Sequence, residues 1–469
     1  MSSVNAFRLT VSERHARGRA ARSEVPRSAH ADWGPHPDRP EPVELLDEQA
    51  QTRVPELVPI RNGRMASSAF AFFRGAAYVM ASDLAATPRT GLNVQACGDA
   101  HLSNFGGFAA PDRHLVFDIN DFDETLPGPW EWDVKRLVAS LEIAARERGM
   151  NRKERERIVR GSVGAYRQAM TDFAGLSNLD VFYARMDRER IVALASRIGR
   201  EDMIEQLERN TQKARKKNSL RALRKLTKVE DGRRRFDSAP PLLVPVHELV
   251  PEGEADDLEQ GLRVLIVRYA ETLRDEVRQL LDRYEFIDLA RKVVGVGSVG
   301  TQAWVVLLVG RDEGDPLLLQ VKEAEPSVLE RFLSASEFEN HGRRVVEGQR
   351  LIQGASDLML GWIRNEEGLD GQVRDFYVRQ LWDWKQSADI ETMGREELEI
   401  YGGLCGWTLA RAHARSGDGV AIAAYLGKSD RFDRALVPFA AAYADQNERD
   451  HSAFVDAIKA GKLEAESGV

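Results

Sequence analysis

The amino-acid sequence predicts an α+β fold with two lobes, a large, mostly helical lobe and a small lobe built on an antiparallel sheet. Three observations favour this class. Stretches such as 130–149 and 151–173 carry apolar residues at three- and four-residue spacing, which is typical of amphipathic helices. Short β-branched and aliphatic runs cluster instead between 293 and 324. No fixed-period repeat is visible, so a solenoid or a propeller is not expected.

Composition indicates an ordinary globular chain with a sizeable core. The 469 residues are 43% hydrophobic and 30% charged. A net charge of −8, from 66 basic and 74 acidic residues, argues against an obligate nucleic-acid binder. No stretch approaches the roughly 18 apolar residues of a membrane span, so no membrane partner is expected. Two cysteines, Cys97 and Cys405, exclude a disulfide scaffold and favour a cytoplasmic protein.

The pattern divides the chain into four parts. The first thirty residues are basic and polar without the apolar core of a signal peptide, so we expect a flexible arm over 1–40. We expect the helical lobe over 41–257, because the Pro- and acid-rich segment 237–257 breaks the helical pattern. The small lobe is expected over 258–390, and the helices of 391–469 should complete the helical lobe.

The densest group of polar side chains lies between residues 97 and 124. CGDAHLSNF (97–105) is followed by FDINDFDE (117–124), so Asp and Asn stand beside short predicted strands. Hard cations such as Mg²⁺ take carboxylate and amide oxygens, and a carboxylate that holds no metal can accept a proton from a hydroxyl. The alternative is an acidic, solvent-facing loop. The group is denser than turns require, which favours a site.

A second pattern, GxGxxG, is formed by Gly295, Gly297 and Gly300, with Ser298 between them. In a dinucleotide-binding fold the glycines open a helix, whereas here the strand-like run TQAWVVLLV follows. This context favours a turn between two antiparallel strands, whose backbone amides cover nucleotide phosphates as in kinases. The alternative is a simple glycine-rich hairpin.

The next predicted strand carries Lys322 to a position where it could pair with phosphates. Such a lysine needs a helix carboxylate to hold it extended. The helical run from Phe338 offers Glu337, Glu339 and Glu347, of which we favour Glu347 because its neighbours look packed. If the glycine pattern is only a hairpin, Lys322 is an exposed lysine.

CGDAHLSNF resembles the catalytic loop of aminoglycoside phosphotransferases and related small-molecule kinases, whose pattern is HGDxHxxN. NDFDETLPGPWEWDVKRL (120–137) resembles their metal-binding segment. The resemblance implies Asp99 as the catalytic base, Asn104 as a magnesium ligand and Asp121 as the second metal carboxylate, with Asp118 as its competitor. It also implies Asp133 as a structural cap, and ATP and Mg²⁺ as cofactors. Cys97 stands where those kinases have histidine.

The whole chain also resembles an uncharacterised bacterial family, domain of unknown function 2252. The matching phrases extend over nearly its full length: LVPIRNGRM, FFRGAAYVMASDL, CGDAHLSNFG, VFDINDFDETLPGPWEWDVKRL, RVVEGQRLIQ and YADQNERD. This resemblance implies no substrate.

The order of the motifs differs from that of an ordinary kinase, in which the glycine turn and lysine come first. Here the segments at 99–123 precede the glycine turn and Lys322. The stretch YGGLCGWTLARAHAR (401–415) resembles the helix that precedes the catalytic loop in phosphotransferases. A circularly permuted, kinase-like fold accounts for this order, since permutation is tolerated where termini meet at the surface.

Together the motifs predict an ATP- and magnesium-dependent phosphotransferase that acts on an unidentified small-molecule acceptor. The alternatives are a catalytically silent nucleotide-binding regulator, a nucleotidyltransferase and a metal-dependent phosphoesterase. The basic run 213–228 is either a face for an anionic substrate or nucleic acid, or a solvated helix surface; nucleic acid is not expected. Arg61, Arg64 and Arg74 could reach phosphate oxygens. The oligomeric state stays open.

Overall fold

The computed structural model of the chain describes residues 9–197, 199–216, 218–230, 232–249, 255–293, 295–366, 372–381, 384–466 and 468. The protein is a mixed α+β structure with antiparallel sheets, as the sequence predicts. Its α-helices, in chain order, are α1 Val11–Glu24, α2 Pro42–Ala50, α3 Val58–Ala66, α4 Ala69–Gly75, α5 Ala77–Ala85, α6 Trp130–Glu147, α7 Arg152–Ala174, α8 Asn178–Tyr183, α9 Arg188–Arg197, α10 Glu201–Arg215, α11 Ser219–Leu226, α12 Ala255–Ala270, α13 Asp275–Leu281, α14 His341–Ile352, α15 Arg395–Ser416, α16 Gly419–Leu426 and α17 Arg431–Lys459.

The strands of the described residues form four antiparallel sheets. In chain order they are β1 Asn93–Ala96, β2 Phe105–Ala109, β3 Leu115–Ile119, β4 Leu126–Pro129, β5 Met186–Asp187, β6 Thr227–Glu230, β7 Arg233–Phe236, β8 Leu243–Pro245, β9 Glu285–Lys292, β10 Ala303–Val309, β11 Pro316–Glu323, β12 Gly361–Asn365, β13 Arg374–Gln380 and β14 Gln386–Ser387. The largest sheet has the order β12-β13-β11-β10-β9-β8, and a four-stranded sheet has the order β14-β2-β3-β5. Strands β1 and β4 pair, as do β6 and β7.

Helix α6 lies at the centre of the helical region, which comprises α1 to α7 and α15 to α17. Every residue from Trp130 to Ala145 is buried, because α7, α15 and α17 pack around this helix. Helices α7 and α15 approach each other closely at Gly406, where a Cβ atom would lie 2.3 Å from the carbonyl oxygen of Ser162. This core fixes the start of α6, and therefore the loops that it supports.

The described part of the predicted flexible arm, from residue 9 to 40, is helical and packed. The side chain of Thr10 caps α1 by accepting a hydrogen bond from the backbone N–H of Glu13. Gly18 and Ala21 are buried against α16, and a Cβ atom on Gly18 would lie 2.1 Å from the carbonyl oxygen of Ala421. The contact depends on small residues in an otherwise polar helix, so a search for apolar periodicity does not find it.

The sheet region comprises the six-stranded sheet and the helices packed on it. Helix α11 covers one face, where Leu223 and Leu226 contact the side of the sheet that carries Val305. Helices α12 and α13 cover the other face, around Leu289 and Val306. Because α11 and β8 belong to this region, it begins well before the boundary near 257 that the sequence predicts.

Candidate active site

The loop between β1 and β2, residues 97–104, is held in place by Asp133 in the first turn of α6. The Asp133 carboxylate accepts hydrogen bonds from the backbone N–H groups of Cys97 (2.7 Å) and Gly98 (2.9 Å). It also lies 3.1 Å from Nε2 of His413 on α15. Gly98 has φ +84°, and a Cβ atom there would lie 2.3 Å from the carbonyl oxygen of Glu124. The loop is therefore anchored to two core helices, and the LARAHA segment of α15 lies beneath it.

Asp99 is the carboxylate that this loop presents to a cavity. Its Oδ1 accepts a hydrogen bond from Arg136 Nε at 2.8 Å, and its side chain is 18% exposed. Burial raises the pKa of Asp99, while the charges of Arg136 and Arg74 oppose the rise. The bond to Arg136 fixes the carboxylate, and its Oδ2 lies 3.6 Å from Nε2 of His101.

Asn104 connects this loop to the segment that follows β3. Its Nδ2 donates to the carbonyl oxygen of Asp99 at 2.8 Å, which leaves Oδ1 as the oxygen available to a cation. Its own carbonyl oxygen accepts from the backbone N–H of Asn120 at 2.8 Å. Asn104 and Asp121 line the same cavity.

Lys322 on β11 reaches the same segment from the sheet region, 199 positions away from its hydrogen-bond partner Asp123. The Lys322 Nζ atom lies 2.6 Å from Asp123 Oδ2 and 3.9 Å from Asp121 Oδ2. Tyr377 on β13 donates to Asp123 Oδ1 at 2.7 Å. Burial alone would lower the pKa of Lys322, but Asp123 and Asp121 outweigh it and hold the pKa above its ordinary value.

The predicted ion pair between Lys322 and Glu347 is wrong. Glu347 lies on α14 and is half-buried, and its carboxylate is 3.3 Å from the guanidinium of Arg350. Within the described part of the chain, the carboxylates within 4 Å of Lys322 are those of Asp121 and Asp123. Asp123 takes the place of a helix carboxylate because the 121–123 segment passes directly beneath β11.

Asp118 is a buried structural residue rather than a competitor of Asp121. Only 1% of its surface is exposed, and its carboxylate forms an ion pair with Arg411 on α15. The same carboxylate accepts from the backbone N–H of Gly354 at 2.8 Å. These partners occupy its oxygens within the core, whereas Asp121, beyond the end of β3, faces the cavity.

The glycine turn, residues 295–300, lies between β9 and β10, as the sequence predicts. It rests on the helical region, because its carbonyl oxygens accept from Arg64 Nη1 (to Gly295, 2.6 Å) and from the backbone N–H of Val54 (to Gly300, 2.8 Å). Arg53 donates to the carbonyl oxygen of Val299. Gly295 and Gly300 have φ +73° and +96°, which only glycine adopts without strain.

Two cavities meet beneath the glycine turn, and both are lined by Asp121, Gly295 and Ser298. The lysine cavity, of about 280 Å³, is further lined by residues that include Lys322 and the segment 379–381 after β13. The second cavity, named the Asp99 cavity, has a volume of about 480 Å³. Its lining includes Asp99, His101, Asn104, Asp123, Gly297, Arg53 and Arg74. The arrangement suits two ligands that meet at Asp121.

A family model described as "uncharacterized protein conserved in bacteria" (domain of unknown function 2252) matches residues 53–457. The chain belongs to this family. No curated protein and no solved structure matches the chain. The region shared with domain of unknown function 2252 begins at Arg53, so it contains the whole lining of the lysine cavity, most of the lining of the Asp99 cavity and the residues on which the glycine turn rests.

The donor set of this family member fits a magnesium ion held partly by a ligand. In the described ranges, no three His, Cys, Asp or Glu side chains form a group that could hold a metal by themselves. Mg²⁺ is commonly bound by one or two carboxylates together with substrate phosphates and waters. Asp121 and the Asn104 amide offer such an incomplete set.

No described helix is long and apolar enough to cross a membrane.

Sequence reasoning missed four residues of this site: Asp123, Tyr377, Arg136 and Arg53. Asp123 was the easiest to find, because the run Asn120 to Glu124 carries three carboxylates within four positions. The other three had no local signal, since each reaches the site from a different element.

Proposed function

We propose that this protein is an ATP- and magnesium-dependent phosphotransferase with a kinase-like, circularly permuted fold. The observation that carries the proposal is the meeting of Lys322, Asp121 and Asp99 around the glycine turn, although the lysine lies on another part of the chain. Phosphoryl transfer relies mainly on positioning and charge neutralisation, and these are the residue types that supply both. The helix that carries LARAHA supports the catalytic loop, which agrees with a permuted order.

In this proposal the nucleotide occupies the lysine cavity. Lys322 exchanges part of its contact with Asp123 for phosphate oxygens, and the N–H groups of the glycine turn lie above them. Asp121 and Asn104 would hold Mg²⁺, which supplies neutralisation of phosphate charge when bound. The two buried thiols, Cys97 and Cys405, agree with a reducing cytoplasm.

The acceptor occupies the Asp99 cavity. Its hydroxyl oxygen attacks the γ-phosphorus, the bond to the bridging oxygen breaks, ADP leaves and the hydroxyl proton passes to Asp99. The raised pKa of Asp99 brings it closer to that of a useful general base, and Arg136 keeps the carboxylate in one orientation. His101, whose Nδ1 is buried without a hydrogen-bond partner among the described residues, borders the same space.

The test is ligand-induced stabilisation followed by product analysis. A nucleotide at 100 times its Kd adds about 2.7 kcal/mol to stability, which a thermal melt detects. We expect ATP with Mg²⁺ to stabilise the full chain, Asp121→Ala to remove the magnesium-dependent part, and Asp38→Ala, at an exposed position, to leave it intact. If no nucleoside triphosphate stabilises the protein, the proposal is refuted.

ATP labelled at a single phosphate then distinguishes phosphoryl transfer from the alternative reactions. Transfer of label from the γ-phosphate of ATP to a metabolite pool is the expected result. Transfer from the α-phosphate would identify a nucleotidyltransferase, and binding without turnover a silent regulator. Phosphate release from esters without nucleotide would identify a phosphoesterase.

A further inference from the structure

Two guanidinium groups face the Asp99 cavity without a carboxylate partner. Arg53 is 7% exposed; it donates to the carbonyl oxygen of Val299, and its buried Nε has no hydrogen-bond partner. Arg74, at the end of α4, forms no hydrogen bond and no ion pair within the described ranges, and its Nε is also buried. Both side chains line the cavity that contains Asp99.

A third arginine lies directly behind this wall. Arg61 is 1% exposed and donates to Gln49 Oε1 (2.8 Å) and to the carbonyl oxygen of Gly75 (3.1 Å), both on residues that line the cavity. Its Nε and Nη1 are buried without a partner among the described residues. Burial lowers the pKa of Arg53, Arg61 and Arg74, because the surrounding groups do not compensate for lost hydration.

Other arginines of the described residues have a carboxylate partner at hydrogen-bond distance: the buried Arg411 pairs with Asp118 and Arg136 with Asp99, and the half-buried Arg39 pairs with both Asp83 and Asp450. The buried Arg344 lies 3.8 Å from Glu330 and donates to three backbone carbonyl oxygens. A buried charge without a counter-charge is costly, so a fold retains it where a ligand supplies the missing charge.

No carboxylate that lines the Asp99 cavity lies within ion-pair distance of Arg53 or Arg74 among the described residues. The charge of Asp99 raises the pKa of Arg74, but its carboxylate is engaged by Arg136. Asp121 lies 3.9 Å from Lys322, and Glu330 lies 3.8 Å from Arg344. Asp123 is engaged by Lys322, Glu323 by Arg374 (3.0 Å), and Glu48 by Arg331 (2.9 Å). Glu124 accepts from the backbone N–H of Val328 at 2.7 Å. Glu325 faces Arg53 and Arg61, but neither lies within the 4 Å of an ion pair with it.

We propose that the acceptor is a small hydroxylated anion whose carboxylate or phosphate is bound by Arg53 and Arg74 while its hydroxyl reaches Asp99; this rests on the phosphotransferase function proposed above. Guanidinium groups bind two oxygens of a carboxylate or a phosphate at once, which orients the ligand as well as neutralising it. Arg61 acts as a positioning residue, since it holds Gln49 and Gly75 in the cavity wall.

The experiment measures anion binding by thermal melts of the full chain without nucleotide. The probes are inorganic phosphate, malate as a hydroxy acid, glycerol 3-phosphate, and the uncharged and cationic controls glycerol and ethanolamine. We expect the anions to stabilise the protein and the controls to have no effect. Malate and glycerol 3-phosphate distinguish a carboxylate from a phosphate ligand. The proposal would be overturned if ethanolamine stabilised the protein instead, or if none of the anions did.

The variants test which arginines bind the anion. Arg53→Gln and Arg74→Gln should each weaken anion binding at least tenfold, whereas Arg331→Gln, at a 63% exposed side chain on the rim of the same cavity, should not. Arg74→Lys should retain part of the affinity. If Arg53→Gln does not fold, anion binding by the variants of the half-buried Arg74 still tests the proposal.

Nucleotide binding by the same variants separates this inference from the proposed function. Stabilisation by ATP with Mg²⁺ should be unchanged within twofold in Arg74→Gln, whereas Arg53→Gln also removes a bond to the glycine turn and is not used for this comparison. Equal loss of anion and nucleotide binding in Arg74→Gln would assign this arginine to the nucleotide and overturn the acceptor proposal. Anion binding in a protein that no nucleotide stabilises would overturn the proposed function while leaving an anion site.

Discussion

The Asp99 segment, residues 97–133, and the glycine turn, 295–300, face each other across the Asp99 cavity, yet different contacts hold them. The Asp99 segment is fixed by buried charged groups: Asp133 binds backbone N–H groups, Asp99 binds Arg136, and Asp118 pairs with Arg411. The glycine turn is held by backbone carbonyl oxygens that accept from residues 53–64. Changes on the first side should therefore cost much more than changes on the second.

The largest effect should come from Asp99→Asn. An asparagine still accepts the bond from Arg136, so the segment keeps its geometry while the proton acceptor is lost. Under the proposed function, turnover should fall at least 100-fold, within the range for general bases, with ATP and Mg²⁺ binding retained. Steady-state rates and thermal melts measure both. An Asp99→Asn enzyme with the wild-type rate would show that the base lies elsewhere.

The next effect concerns stability. Asp118→Asn leaves Arg411 buried without its counter-charge, so the free energy of unfolding should fall by about 3–5 kcal/mol. Chemical denaturation measures the loss. The double variant Asp118→Asn, Arg411→Met should recover part of it, because no buried charge is then left alone. If the single variant were as stable as the wild type, the view that buried charged groups fix the Asp99 segment would be contradicted.

Glu124 gives a pH-dependent test where the Asp99 segment meets the sheet region. Burial raises its pKa to about 7, although Arg344 and the N–H of Val328 oppose the rise. The folded state then keeps a proton that the unfolded state loses near pH 4.5. The stabilising contribution is full below pH 4.5 and is lost as the pH rises through 7.

Relative to Glu124→Gln, the wild type should lose about 1–3 kcal/mol between pH 4.5 and 7. Denaturant midpoints collected across this range measure the difference. Parallel pH curves for the two proteins would show that Glu124 titrates normally.

The smallest effect is expected in the glycine turn. Gly300→Ala forces a side chain onto φ +96° and places Cβ 3.0 Å from Cβ of Arg53, which should cost about 1–2 kcal/mol. Gly403→Ala is the matched control, because a Cβ atom there meets open space on α15 and favours the helix. A loss as large as that of Asp118→Asn would remove the contrast between the two sides.

The sequence is informative where its signal is local. Helix periodicity and the short antiparallel strands led to the α+β class, and the family assignment is confirmed by the match over 53–457. The loops at 97–104 and 118–124 stood out because Asp99, Asn104 and Asp121 are close along the chain. Their meeting with Lys322 followed from treating the glycine turn and the strand lysine as parts of one site.

The parts that could not be predicted depend on contacts between distant elements. The sequence favoured Glu347 as the partner of Lys322, and Asp123 emerged as that partner only once the path of the 121–123 segment was known. Asp118 lies within β3 and points into the core, whereas Asp121 follows the end of this strand, and the residue at which a strand ends is set by packing. The docking of α1 and of residues 53–64 depends on small side chains and backbone groups, which carry no periodic signal.

The partnership of Asp118 with Arg411, 293 positions apart, also has a consequence for synthesis on the ribosome. At roughly 5–20 residues per second, Asp118 leaves the peptidyl-transfer centre about 15–60 s before its partner exists. During that interval β3 and the loops around it lack α15, the helix that compensates their buried charge and supports residues 97–104. A nascent chain therefore carries Asp99, Asn104 and Asp121 long before α15 can hold their loops in place, and this part of the cavity should form only near the end of translation.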